Sequence, residues 1–347
     1  WLDGSRPTGD YVAFRNVIID LGGDEVVEVP HSPEWFSTTC LPADYDPAAT
    51  CPAWDAAVAR VLPNADDQRS FRQWAGYALT RCNVAQRFLV LSGEAATGKS
   101  TLTNGVCAML GEDNHTASDL ETLFARFGIA DTIGKRLVVC ADVHDAGKIS
   151  LQKLKQFTGS DPMPCERKGV DIYMARPTAK LMVTTNTLPR LPDPSNGVWR
   201  RLLKIDCNTV ITDRVAGMSE PSYWADRGEL AGMVLWALAG LRDLRGLGWQ
   251  FTESDAARRS KDEHRDLSDP TRVFIADHVR EAPGEATDSA TVYQAYRNWC
   301  VGNGTLPVTA RMLSMRIRSA LGRDKVESVT CSRDGKNVRR LAGVKLA

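Results

Sequence analysis

The segment GEAATGKS at residues 93–100 leaves the chain few folds to choose from. Gly93, four residues, then Gly98, Lys99 and Ser100 is the spacing of a phosphate-binding loop, in which glycines let backbone N–H groups turn inward around phosphates. In that chemistry Lys99 reaches the β and γ phosphates and the Ser100 hydroxyl holds Mg²⁺. The loop needs a strand before it and a helix after it. RFLVLSG reads as a buried strand through Phe88, Leu89, Val90 and Leu91, and KSTLTNGVCAML reads as the helix whose N-terminus would favour an anion. Gly93, Glu94, Ala95, Ala96, Thr97, Gly98, Lys99, Ser100 and Thr101 are the expected nucleotide-contacting stretch. The plainer alternative is a glycine-rich turn between core elements.

Three more apolar runs, RLVVCADV, KLMVTTN and RRLLKIDC, alternate with helical or loop segments as far as about Cys207. Continuous apolar runs suit a parallel sheet buried on both faces, so an α/β core of the AAA+ kind is expected. PAWDAAVARVL and DDQRSFRQWAGYALT, upstream, carry helix spacing, with Phe71, Trp74 and Ala78 on one face and Asp66 and Asp67 in the first turn. Downstream, residues 215–270 read as helices, and REAPGEATDSA reads as a linker.

A triphosphatase needs an acid at the end of a neighbouring strand to organise Mg²⁺ and the attacking water. Asp142 directly follows Leu137–Ala141, and Asp145 comes three residues later. Asn186 ends KLMVTTN, where an amide could position water or sense the γ phosphate, although asparagine also forms turns there. Arg200 and Arg201 directly precede the next apolar strand. Such an arginine often neutralises transition-state charge from an adjacent subunit, and two neighbours in extended chain face opposite ways, so one of the pair is expected to reach nucleotide.

Lys+Arg and Asp+Glu both total 43, so net charge does not advertise nucleic acid, yet residues 308–347 are strongly basic. VTARMLSMRIRSALG starts with Thr309 as a plausible N-cap, is expected to bury Leu313, Ile317, Ala320 and Leu321, and turns Arg311, Ser314 and Arg318 outward. RDGK supplies an Asp-Gly hairpin signal with Arg333 and Lys336 beside it. Helix, helix and basic hairpin match a winged helix on DNA, with phosphate contacts from the wing and groove contacts from the helix. A solvated basic face used for protein contacts would look the same.

Together these segments resemble helicase superfamily 3, in particular the helicase part of phage, plasmid and poxvirus primase-helicases. CPAWDAAVARVL with FRQWAGYALT is similar to the helical segment before that family's phosphate loop, RLVVCADVHD to its acidic strand, and LQKLKQFTGSDPMPCERKG to the segment before its DNA-contacting hairpin. TTNTLPRLPDPSNGVWRRL resembles its sensor Asn, Pro-rich loop and arginine finger, and VYQAYRNWCVGNGTLPVT its C-terminal winged helix. The resemblance implies a ring, usually hexameric, with Lys99, Ser100, Asp142 and Asn186 from one subunit and Arg200 or Arg201 from the next. It also implies 3′ to 5′ translocation on DNA, with Arg167 or Lys168 in the central channel and ATP and Mg²⁺ as cofactors. Many relatives carry Glu where Asp142 stands, which leaves its role between general base and metal ligand.

The expected division is a collar-like helical segment at 1–80, the AAA+ core at 81–215, helices and linker at 216–284, and a winged helix at 285–347. Nine cysteines without a CxxC pair argue against zinc or a disulfide framework and fit a reducing cytoplasm. The longest apolar run, Leu230 to Leu241, is too short to cross a bilayer. A start at Trp1 suggests a fragment, with a primase as a potential partner. The chief rival is a nucleotide-switched DNA-binding initiator that does not unwind, and a small-molecule kinase using the same loop is a further one.

Overall fold

The computed structural model describes residues 10–23, 26–33, 35, 39–141, 150–191, 193, 196–213, 215–322, 324–333 and 336–347. Two compact units emerge, Trp1–Pro189 with Asn196–Lys261, and Arg190–Ser195 with Asp262–Ala347.

The first unit opens with a three-strand antiparallel sheet, β1 (Tyr11–Ala13), β2 (Ile18–Asp20) and β3 (Val27–Val29), followed by α1 (Pro52–Val61) and α2 (Ala65–Ala78). Next come β4 (Phe88–Ser92), α3 (Lys99–Leu110), β5 (His115–Ser118), α4 (Leu120–Leu123), β6 (Leu137–Ala141) and α5 (Leu151–Thr158). The hairpin β7 (Met163–Arg167) and β8 (Val170–Ala175) precedes β9 (Lys180–Thr185), β10 (Leu202–Asp206), α6 (Pro221–Asp226) and α7 (Leu230–Gly246). The central sheet has the order β10-β4-β9-β6-β5 with every pair parallel, an α/β core compatible with a phosphate-binding loop. Its four apolar strands are those expected from the sequence. The fifth, β5, is the polar run HTAS at the sheet's edge, where one side of the ladder needs no burial and an apolar signal is missing.

Helix starts are capped in two ways. Asn64 accepts from the amides of Asp66 and Asp67 at the start of α2. No side chain of its own caps α1, and instead the buried Glu229 carboxylate accepts from Ala53 N at 3.0 Å and Trp54 N at 2.9 Å. Helices α2 and α7 touch backbone to backbone. A Cβ on Gly76 would lie 2.3 Å from Ala237 O, and one on Gly240 would lie 2.2 Å from Arg72 O. Through this contact the apolar helix Leu230–Gly246 shares one core with α1, α2 and α3. Among the described residues no helix is long and apolar enough to cross a membrane.

Two cations lie beneath that core. Arg136 donates to Tyr11 O at 2.8 Å and to Leu79 O, while Lys180, only 1% exposed, donates to Thr80 O at 3.1 Å and Thr178 O at 2.8 Å. Burial pushes the Lys180 ammonium from its ordinary 10.5 down to about 7, although Cys82 and Asp10 pull the other way. Below that value the lysine is charged both folded and unfolded, and the full cost of burying charge applies. Above it the unfolded chain holds a proton that the folded one has released, so stability rises with pH until the unfolded lysine also titrates. Melting temperature is expected to climb between about pH 7 and 9, and Lys180→Met to flatten that slope. Equal slopes for the two proteins would show that Lys180 is not the titrating group.

The second unit takes up the end of α8 (Asp255–Ser268), then α9 (Pro270–His278), β11 (Val279–Asp288), α10 (Ser289–Gly302), α11 (Ala310–Leu321), β12 (Glu327–Arg333) and β13 (Lys336–Leu346). Its antiparallel sheet runs β11-β13-β12 over a core that includes Phe274, Val292, Tyr296, Leu313, Ile317 and Leu341. The run expected to be a linker is mostly strand, and the C-terminal part of this unit runs from Asp262 to Ala347. Pro283 and Gly284 fall where the register shifts between Glu281 and Ala286, a bulge that accommodates both without ending the ladder. Thr309 caps α11 by accepting from Met312 N. Leu313 and Ile317 are buried, Leu321 is half-buried, and Ala320, expected inside, is exposed.

Candidate functional site

At the end of β4 the chain turns through three left-handed residues, Gly93 (φ +152°), Ala96 (φ +67°) and Gly98 (φ +86°). Glycine is required at the first and last. A Cβ on Gly93 would lie 2.1 Å from Cys207 O, and one on Gly98 would lie 2.4 Å from Val61 Cγ2 and 2.9 Å from Ile211 Cδ1. Thr97, buried, braces the loop by donating to Glu94 O at 2.9 Å. Gly98 then starts α3 without any side-chain cap, which leaves the first amides of the helix for an anion.

Lys99 Nζ donates to Gly93 O at 2.5 Å, Glu94 O at 2.8 Å and Asn186 Oδ1 at 3.2 Å. Lysine and asparagine, 87 residues apart, meet because β4 and β9 are adjacent parallel strands whose C-terminal ends share one edge of the sheet. Ala141, the last residue of β6, pairs with Thr184 on the other side of β9. Asp142 and Asp145, expected to supply the acid, lie outside the described residues. A cavity of about 510 Å³ is lined by Ala95 through Thr101, by Ala141, Thr184 and Asn186, and by parts of α1 and residues 211–220.

Beneath the loop, Ser92 and Lys204 both donate to the Asp206 carboxylate, and Lys204 to Ser260. Burial alone would raise Asp206, but hydrogen bonds from Lys204, Ser260 and Ser92 hold it below the usual carboxylate range. This charged network fixes the strand ends on which the loop stands.

The two arginines differ. Arg200 is exposed, whereas Arg201 is 8% exposed and donates to Gly197 O at 2.9 Å and Gln86 Oε1 at 3.0 Å. Neither lines the cavity of its own chain. Arg167 and Lys168 are exposed at the tip of the β7–β8 hairpin, where Gly169 (φ +78°) makes the turn, and Arg167 donates to Ala130 O. Val170, Ile172 and Met174, alternating along β8, are each more than half exposed, a face the sequence reading missed. In the second unit Arg311 is exposed beside Met312 and Met315, but Arg318 is half-buried and donates to Val326 O at 3.0 Å. Arg333 and Lys336 pair across the β12–β13 hairpin, and their side chains lie outside the described residues.

Sequence reasoning also missed the far wall of the cavity, formed by Ala57, Arg60 and Val61 of α1 and by Ile211, Val215 and Met218. Ile211 N donates to Ala96 O at 2.9 Å, Thr101 and Ser219 hydroxyls lie 3.3 Å apart, and Asn104 donates to Ser219 O at 2.7 Å. No local pattern marks these residues, since they are ordinary helix and loop positions until the chain folds.

Residues 91–201 match a family of unknown function, DUF5906, and residues 8–63 match the D5 N terminal like family. A protein of Acanthamoeba polyphaga mimivirus named "Putative helicase L207/L206" is 23% identical over 273 residues, 70% of this chain and 28% of its own length. The chain thus spans less than a third of that relative. Among solved structures, the apo C-terminal region of NrS-1 superposes with a TM-score of 0.53 at 11% identity over 96% of this chain and 95% of the other. Its A form gives 0.51 at 12% identity over the same shares. At such identity the likeness concerns the fold.

Proposed function

We propose that this chain is the ATP-hydrolysing part of a replication helicase of the superfamily 3 kind, an AAA+ protein that unwinds duplex DNA as a ring, with six copies and 3′ to 5′ movement as the resemblance implies. The observation that carries this reading is the meeting of Lys99 and Asn186 at the ends of adjacent parallel strands, beside the uncapped start of α3. That pair suits a γ phosphate, the lysine for its charge and the amide for sensing it or aligning water. The mimivirus relative's name and the D5 N terminal like match support a helicase setting.

Mg²⁺, when bound, supplies charge neutralisation on the phosphates. The Ser100 hydroxyl, exposed in the cavity wall, suits that hard cation as a ligand, with Asp142 as the second candidate from its place in the sequence. For the arginine supplied to a neighbouring copy, Arg200 is the better candidate, because the Arg201 guanidinium is engaged within its own chain. DNA would meet Arg167 and Lys168 in the channel. The second unit, read as a winged helix, would use Arg311 on α11, the basic ends of its hairpin at Arg333 and Lys336, and Arg318 only if it leaves Val326.

Strand displacement on a forked DNA with ATP tests the proposal, with hydrolysis expected to rise when single-stranded DNA is added. Arg200→Ala should lose hydrolysis yet keep nucleotide binding, and mixing it with Lys99→Ala should restore turnover, since each variant supplies what the other's shared site lacks. A protein that binds ATP and DNA but never separates strands would instead be a nucleotide-switched initiator.

A further inference from the structure

Arg60 enters the cavity that holds Lys99 and Ser100, but from the last turn of α1, outside the phosphate loop. Its neighbour Val61 is packed against Gly98, so this end of α1 is held against the loop. The Arg60 guanidinium is engaged, donating to Asp213 O at 2.6 Å and to the Asp213 carboxylate. Asp213 in turn stands two residues after Ile211, which is tied to Ala96, and on the same segment as Ser219, which meets Thr101 and Asn104. Residues 211–213 and 215–220 therefore form a strap across the cavity, and the Arg60–Asp213 pair fastens it to α1.

That pair has little to recommend it as a stabilising device. The Asp213 side chain is 84% exposed, and ion pairs so open to water contribute little to folding. Arg60 is among the residues that line the cavity beside Lys99 and Ser100, and a guanidinium released from Asp213 there would have a stronger option, since its planar fork makes charge-assisted bonds to phosphate oxygens. Resting on the nucleotide reading above, we infer that Arg60 is a second cationic ligand for the nucleotide's phosphate chain, and that Asp213 competes for it while no nucleotide is bound. Occupancy would then exchange the Asp213 carboxylate for phosphate and loosen the strap, coupling the state of the site to Ile211–Asp213 and the residues from Val215 on.

Titration of the full chain with a fluorescent ATP analogue, displaced by ATP or by adenosine, tests this. Arg60→Ala should weaken ATP about tenfold, the worth of one charge-assisted hydrogen bond, while adenosine changes by less than about twofold. Asp213→Asn keeps shape and main chain but removes the competing charge, and should tighten ATP about threefold. In the double variant that gain should vanish, because the group competed for is gone. If ATP binds the unaltered protein but Asp213→Asn leaves affinity unchanged or lowers it, or if its gain survives the loss of Arg60, the Arg60 assignment fails alone. Equal losses of ATP and adenosine in Arg60→Ala would also overturn it, as they would report a collapsed wall. If the unaltered protein binds no ATP, the nucleotide reading fails and this inference with it.

Discussion

Lys99→Ala is expected to lower ATP turnover by about 10²- to 10³-fold, the usual effect of removing one preorganised group that stabilises transition-state charge. Three acceptors, Gly93 O, Glu94 O and Asn186 Oδ1, converge on its ammonium. A triphosphate would replace those modest partners with charged oxygens, and the ammonium would follow the charge that builds on the γ phosphate. The alanine variant should fold normally, because Lys99 is half-buried at the cavity and supports no core contact. Phosphate release at saturating ATP, with circular dichroism as the control for folding, measures the effect. A loss smaller than about tenfold in a folded variant would remove Lys99 from the chemistry.

Trp54→Ala should be the most damaging core substitution, costing about 3–5 kcal/mol of stability. The indole is 1% exposed, and its ring centre lies 5.1 Å from Trp224, 5.6 Å from Trp236 and 6.2 Å from Phe71. A Cβ on Gly105 would approach the same ring to 2.1 Å, so Trp54 rests directly on the backbone of α3. One side chain thus joins α1 to α2, α3, α6 and α7. Among the described residues nothing accepts from its indole N–H, so Trp54→Phe forfeits packing but no hydrogen bond and should cost clearly less. Urea unfolding of the two variants gives the comparison, and a cost below about 1 kcal/mol for alanine would contradict the assigned packing.

How much of this was legible in the sequence depended on whether a signal was local. The loop at 93–100 and the strands at Phe88, Leu137, Lys180 and Leu202 carry their own patterns, so the parallel sheet and the loop at its edge could be read directly. Edge strand β5 could not, being polar and half-exposed. Pro283 and Gly284 misled because turn residues look alike in a linker and in a bulge, and only pairing to β13 separates the two. The difference in burial between Arg200 and Arg201 likewise reflects a contact with Gln86, a residue 115 positions away. Arg60 is the extreme case. It reads as an unremarkable charge on a helix until α1 closes on the loop.

The carboxylate that caps α1 comes from Glu229, 175 residues downstream of Trp54. During synthesis at about 5–20 residues per second, the amides of Ala53 and Trp54 would wait roughly 9–35 s for their acceptor to leave the ribosome. Helix α1, the wall that carries Arg60, is therefore made early but gains its N-terminal cap only after α6 has been synthesised. Any shortened polypeptide ending before residue 229 would carry an intact GEAATGKS beside a helix α1 that lacks this cap.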